Sequence, residues 1–185
     1  MSVKKTLSSP NLSAYIKSNL DDLWYGTFLQ GYYYLSSKTK GVFGEMFTES
    51  YLKEKGFKVS GREGGSSDHD MVVNDIKVEV KFSVAQTDRN KKTGVKKIVK
   101  DRFMMNHVGI GKDWNRLLFV GINPNFEESR IVWFDKKDIK KIIKNKDYFS
   151  HQQGGEHTEN DDYISGSNKL INLINSPYAR TLDQW

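Results

Sequence analysis

Asp70, Glu79 and Lys81 are two carboxylates and an ammonium within the short stretch 70–82, and their spacing brings them to one place. Met71, Val72 and Val73 are apolar and mostly β-branched. Asn74-Asp75 are turn residues, and Ile76 to Phe82 alternates apolar and charged. The stretch therefore reads as a β-hairpin. A two-residue loop at Asn74-Asp75 pairs Val73 with Ile76, Met71 with Val78, and Asp70 with Glu79. The same register sets Asp68 opposite Lys81, where a salt bridge is expected.

The pleat sorts these side chains onto two faces. Met71, Val73, Ile76, Val78, Val80 and Phe82 form an apolar face; Asp70, Val72, Lys77, Glu79 and Lys81 form the other. Two carboxylates then face each other with Cβ atoms roughly 5 Å apart, and like charges so placed are destabilising. A cation between them turns that repulsion into a site, and carboxylate oxygens suit Mg²⁺. Lys81 lies roughly 7 Å beyond Glu79 on the same face. Alternating charge on a strand is also ordinary solvent-side decoration. The facing Asp70 sets this pattern apart.

The elements that must hold this hairpin are legible around it. Ser9-Pro10 reads as a helix start, and the aromatic-rich Asp21–Tyr34 as a second helix, together a helical N-terminal extension over residues 1–40. Ser36 to Gly41 reads as a loop. Val42 to Lys55 reads as a helix closed by Gly56, with Glu45 and Glu49 one turn apart. Phe57–Ser60 is a short strand, and residues 61–67 are a Gly/Ser loop. Phe103–Gly109 reads as a short helix. Arg116–Ile122 and Arg130–Phe134 are strands, and Asp135 is a candidate cap for a helix over Lys136–Lys144. Residues 41–145 form the core of one domain spanning 1–185. Residues 146–185 are a C-terminal extension expected to be irregular, apart from a helix over Asn168–Ile174.

Between Asp88 and Arg102 stand seven basic residues, Arg89, Lys91, Lys92, Lys96, Lys97, Lys100 and Arg102, against the two acids Asp88 and Asp101. That excess nearly accounts for the formal charge of +6 on the whole chain. A charge run is often only a solvated loop. Following directly on the carboxylate strand, it is equally suited to phosphate binding. Gln152 and Gln153, in a polar Gly-containing stretch, are candidates for reading base edges.

Composition bounds the rest. Of 185 residues 37% are hydrophobic and 12% aromatic, enough for one modest core. The absence of cysteine excludes disulfides, thiolate zinc sites and thiol catalysis, and fits a reducing, cytoplasmic setting. No apolar run follows Met1-Ser2-Val3-Lys4-Lys5, so no signal peptide is expected, and no stretch has the length of a membrane span. A pI near 9.3 favours a polyanionic partner.

Gly44-Glu45, then Tyr51-Leu52-Lys53-Glu54-Lys55-Gly56-Phe57-Lys58-Val59, then Asp70-Met71-Val72-Val73 and Glu79-Val80-Lys81, resemble the PD-(D/E)xK nuclease superfamily. The likeness runs roughly over residues 41–135. His69 stands where the name-giving proline would be, and Asn106 where some members carry Gln. The resemblance implies a restriction-endonuclease-like α/β fold, a mixed β-sheet flanked by helices. It implies a Mg²⁺-dependent DNA endonuclease, with Mn²⁺ as a substitute, leaving 5′-phosphate and 3′-hydroxyl ends. Asp70, Glu79 and the Val80 carbonyl would hold the metal, Lys81 would orient water, and Glu45 would be an outer ligand with Glu49 its rival. Double-stranded DNA is the expected partner and a homodimeric type II restriction enzyme the leading form. A junction-resolving or repair nuclease is the alternative, because Gly56–Val59 with Arg62 is also similar to Holliday-junction resolvases. The third reading is a non-catalytic nucleic-acid-binding module on the same fold.

Overall fold

The computed structural model describes residues 22–60, 68–151 and 162–185. The expected Ser9-Pro10 helix start, the loop 61–67, Gln152 and Gln153 lie outside them. The chain falls into two compact units, divided between Ser36 and Ser37.

Within the first unit, residues 22–36 form turns and a 3-10 segment at Tyr32–Tyr34, not the helix read from their aromatic spacing. The reason is local. Gly26 and Gly31 have positive φ, which breaks a helix twice, and the Asp22 carboxylate accepts the N–H groups of Trp24 (3.0 Å) and Gly31 (2.5 Å).

The second unit is a mixed α/β structure. Its elements are α1 (Ser37–Glu54), β1 (Val59–Ser60), β2 (Met71–Val73), β3 (Ile76–Val84), β4 (Thr87–Arg89), β5 (Lys96–Ile98), β6 (Met104–Gly109), β7 (Arg116–Ile122), β8 (Arg130–Asp135), α2 (Lys136–Ile142), β9 (Ser150–His151), β10 (Asp162–Gly166) and α3 (Asn168–Ile174). The main sheet has the order β1-β2-β3-β7-β8. Among the described strands of this sheet only β3 and β7 run parallel, and the crossover between them carries β4, β5 and β6.

The hairpin register is the one that the sequence dictates. Met71 pairs with Val78, Val72 with Lys77 and Val73 with Ile76. Asn74 and Asp75 both have positive φ (47° and 62°), as a two-residue loop of the kind that follows strand twist demands. β7 is apolar on both faces because both faces are covered: Leu117, Leu118, Phe119 and Val120 are all buried.

The pleat then decides which layer each side chain meets. Phe82, on the even-numbered face of β3, packs on Phe43 and Phe47 of α1, with ring centroids 5.6 and 5.4 Å away. Gly44 makes this approach possible. A Cβ there would stand 2.4 Å from the Phe82 Cβ, so any larger residue pushes α1 off the sheet. The helix begins at Ser37, so Ser36–Gly41 is not the loop expected from its polar composition.

The odd-numbered face of β3 is covered by the second layer. Ser83 Oγ accepts the Met104 N–H at 3.1 Å, and Phe103 meets Phe119 edge to face, with ring centroids 5.7 Å apart. Residues 104–109 are a strand, not the helix suggested by their apolar spacing. The β6–β10 ladder steps from Val108↔Tyr163 to Met105↔Ser165, and His107 has φ +54°. This bulge adds a residue, so buried Phe103, Met105 and Val108 lose the two-residue period of a strand.

The C-terminal part is more regular than its composition suggests. β9 and β10 join β6 in a three-stranded sheet, and α3 spans the expected Asn168–Ile174. Arg180 exchanges both backbone hydrogen bonds with Trp133 (2.8 and 3.0 Å) and pairs with Asp138 at 2.9 Å. Asp135 precedes α2, which ends at Ile142, but its side chain makes no capping bond; it lies 3.4 Å from Arg180 instead. No helix among the described residues is long and apolar enough to cross a membrane.

Candidate active site

β2 begins at Met71, one residue after Asp70, and that boundary builds the site. Lys77 accepts from Asn115 and Ala85 donates to Ile122, so odd-numbered residues of β3 turn their backbone groups toward β7. Even-numbered ones turn theirs toward β2. The Val78 carbonyl takes the Asp70 N–H at 2.9 Å, and there the backbone ladder stops. The next N–H on that edge, from Val80, donates to Asp70 Oδ2 at 2.7 Å. The Val80 carbonyl leaves the strand on the same edge as this carboxylate.

Glu79 follows Val78, the last β3 residue paired with β2, and is buried, with only 3% of its surface exposed; its charge acts on Asp70. A buried carboxylate needs compensation. Lys81 Nζ donates to its Oε1 at 2.7 Å, and Lys112 Nζ lies 3.5 Å from the same oxygen. Burial, then the charge of Glu79, push the Asp70 carboxyl above the usual aspartate range; the Val80 N–H, Lys81 and Lys112 oppose that rise. The cluster is thus two acids and two ammoniums around one strand edge.

Asp70, Glu79 and Lys81 lie in one charge cluster, with Lys81 on Glu79 and the charges of both acting on Asp70. Asp68 does not join them. Lys81 is taken by Glu79, and exposed Asp68 contributes to the field at Lys136 instead, because regular pairing ends before residues 68–70 bend away.

Glu45 and Glu49 differ in their surroundings. Glu45 Oε2 is buried, whereas Glu49 pairs with Lys53 at 2.6 Å on the helix surface. Glu45 neighbours Gly44, on the helix that covers the Phe82 face of β3. Among the described residues no three His, Asp or Glu side chains gather into one metal-holding group, so Asp70 and Glu79 stand as a pair.

The basic window is not one loop. β4 and β5 form a two-stranded ribbon carrying Arg89, Lys91, Lys92, Lys96 and Lys97, with Arg89 opposite Lys96 and Asp88 opposite Lys97. Lys91, Lys92 and Lys97 are exposed. Lys100 and Arg102 are engaged within the chain, with Glu128 at 2.7 Å and Asp88 at 3.1 Å. The turn at Asp101 (φ +60°) is fixed by the two-pronged Arg130 pair at 3.0 Å and by Asn123.

Lys112 is the residue that sequence reasoning missed. It lies in the turn before β7, and only the parallel register Val78↔Arg116 carries that turn to the start of β3, beside Glu79. No local period signals a meeting of positions so far apart in the chain.

No family model matches this chain, and no curated protein matches it. Among solved structures it is similar to the bacterial homing endonuclease I-Ssp6803I, at 17% identity and a TM-score of 0.34, over 54% of this chain and 68% of that one. At that score the likeness fixes neither the fold nor the activity of this chain.

Proposed function

We propose that this protein is a Mg²⁺-dependent nuclease that hydrolyses phosphodiester bonds in double-stranded DNA. The observation that carries the reading is the cluster of Asp70 and buried Glu79, coupled by charge, with Lys81 2.7 Å from Glu79 and the Val80 N–H on Asp70. The donor set fits a small hard cation: two carboxylates and a carbonyl, all oxygen, with an Asp70 carboxyl whose charged form is disfavoured until a cation arrives. Asp70, Glu79 and the Val80 carbonyl would hold Mg²⁺ or Mn²⁺. When bound, such a cation polarises a phosphate oxygen and makes water acidic enough to attack at neutral pH.

The chain's own residues do the rest. The Val80 N–H fixes the Asp70 oxygen, so the carboxylate is positioned before substrate arrives. Lys81 is held on the same strand face as Glu79 and orients the attacking water, its ammonium stabilising the hydroxide character that develops. Glu45, on the helix that covers the Phe82 face of β3, does not join the pair and has no part in holding the cation. The exposed cations of the β4–β5 ribbon bind backbone phosphates. In-line attack leaves a 5′-phosphate and a 3′-hydroxyl, and the resemblance of the hairpin and helix motifs extends the reading to a homodimeric restriction enzyme.

Incubation with supercoiled plasmid tests this. Nicking or linearisation with Mg²⁺, its loss in chelator, and ligatable ends are expected. No cleavage of plasmid, linear duplex or branched DNA with Mg²⁺ or Mn²⁺ overturns the reading. Preference for a four-way junction over duplex replaces the restriction role by a junction-resolving one.

A further inference from the structure

We propose that Lys112 is a second catalytic cation of this site, one that passes from Glu79 to the substrate phosphate when metal binds. The inference rests on the nuclease reading above. Glu79 Oε1 accepts from Lys81 at 2.7 Å and lies 3.5 Å from Lys112. The two lysines are not equivalent. Lys81 projects from the middle of β3, and its side chain is 16% exposed; that of Lys112 is 45% exposed. The shorter bond belongs to the more buried ammonium.

The backbone beneath Lys112 is fixed. Its carbonyl accepts from the Trp114 N–H at 3.2 Å and from the Lys136 ammonium. Trp114 is buried and donates its indole N–H to the Gly109 carbonyl at 3.0 Å. Asn115 is bound to Lys77 through both backbone and side chain, and Asp113 pairs with Lys77 at 2.5 Å. The turn is clamped on both sides while the lysine stem reaches solvent. That combination gives a fixed base and an ammonium with room to swing.

Charge then dictates the movement. Two ammoniums balance the two carboxylates. A divalent cation held by Asp70 and Glu79 would engage the Glu79 carboxylate and repel both ammoniums. Lys81 is confined by its strand. Lys112 has solvent on one side, and a substrate phosphate would be the anion open to it. An ammonium on a non-bridging oxygen stabilises the extra negative charge of the transition state. Before that, the same ammonium competes with the metal for Glu79.

Lys112→Ala and Lys112→Arg test the two roles in the full chain. Mg²⁺ affinity is read without DNA, from tryptophan fluorescence, because Trp114 is two residues away. Cleavage of plasmid is read at saturating Mg²⁺ under single-turnover conditions. In Lys112→Ala the Mg²⁺ Kd is expected to fall and the cleavage rate to drop roughly 10²-fold. Lys112→Arg is expected to keep most of the rate, and both variants to melt as wild type does. Wild-type cleavage by Lys112→Ala at saturating Mg²⁺ overturns the inference and leaves the nuclease reading standing. So does a rate loss matched by a loss of Mg²⁺ affinity or by a lowered melting temperature, which marks a structural ion pair. A wild-type protein that cuts no DNA overturns the nuclease reading, and this one with it.

Discussion

Val80 donates its backbone N–H to Asp70 Oδ2 at 2.7 Å, so the strand that carries Glu79 also holds the carboxylate on which the Glu79 charge acts. This one bond replaces the ladder that would have continued had β2 started earlier. It fixes an acid next to a buried acid, a destabilising arrangement unless a cation joins them.

That destabilisation has a pH signature. The Asp70 carboxyl lies above its usual 3.8, so the folded state holds that proton more tightly than the unfolded chain does. Its contribution to stability is therefore lost as pH rises from 3.8 through the elevated folded value. Asp70→Asn keeps an acceptor for the Val80 N–H and removes the charge. It is expected to raise the melting temperature at pH 7 and to lose that advantage below pH 3.8. Thermal melts at the two pH values check this, and an Asn variant less stable at pH 7 contradicts the assigned strain.

Metal binding to the same pair reads out as stability. Wild type is expected to gain about 2.7 kcal/mol when Mg²⁺ is at a hundred times its Kd. Asp70→Ala and Glu79→Ala are each expected to lose that gain and cleavage with it, while still binding duplex DNA. Calorimetric melts with and without Mg²⁺ measure it. An undiminished Mg²⁺ shift in both variants moves the metal elsewhere.

Gly44 sets the distance between α1 and β3. Gly44→Ala is expected to destabilise the fold by about 1–3 kcal/mol, the range of an overpacked core, because the new methyl meets the Phe82 Cβ at 2.4 Å. Chemical denaturation measures it. A neutral result requires that the helix yields without cost.

The hairpin was legible because it is local. Period-two alternation and one turn dipeptide fix the ladder from Val73↔Ile76 to Met71↔Val78 and put Glu79 and Lys81 on one face, whereas the bend at residues 68–70 undid the pairing expected of Asp68. What failed was non-local. The bulge at His107 disguised β6 as a helix, and two glycines with positive φ undid the aromatic helix over 21–34. The depth of Glu79 was illegible too, since the alternation of charge along the hairpin says nothing of what packs over that face. A face that reads as solvated in the hairpin is covered in the fold. Lys112 belongs to the same class, being placed by a parallel register that no short pattern announces.

The β4–β5 ribbon yields the last prediction, because the fold divides the basic window into two kinds of cation. Arg89 faces Lys96 across the ladder, a like-charge pair that an isolated ribbon does not favour and a polyanion relieves. Lys91, Lys92 and Lys97 are exposed on the same ribbon, whereas Lys100 is paired with Glu128 at 2.7 Å. Replacing Lys91, Lys92 and Lys97 by Ala is expected to weaken duplex binding. The slope of log affinity against log salt should flatten by about 0.9 for each phosphate no longer neutralised. Lys100→Ala is expected to leave the slope nearly unchanged. Both are measured by fluorescence anisotropy across a salt series in Ca²⁺, which withholds cleavage. An unchanged slope in the triple variant makes the ribbon a solvated hairpin. A flattened slope in Lys100→Ala alone moves the phosphate path from the ribbon to the turn beyond it.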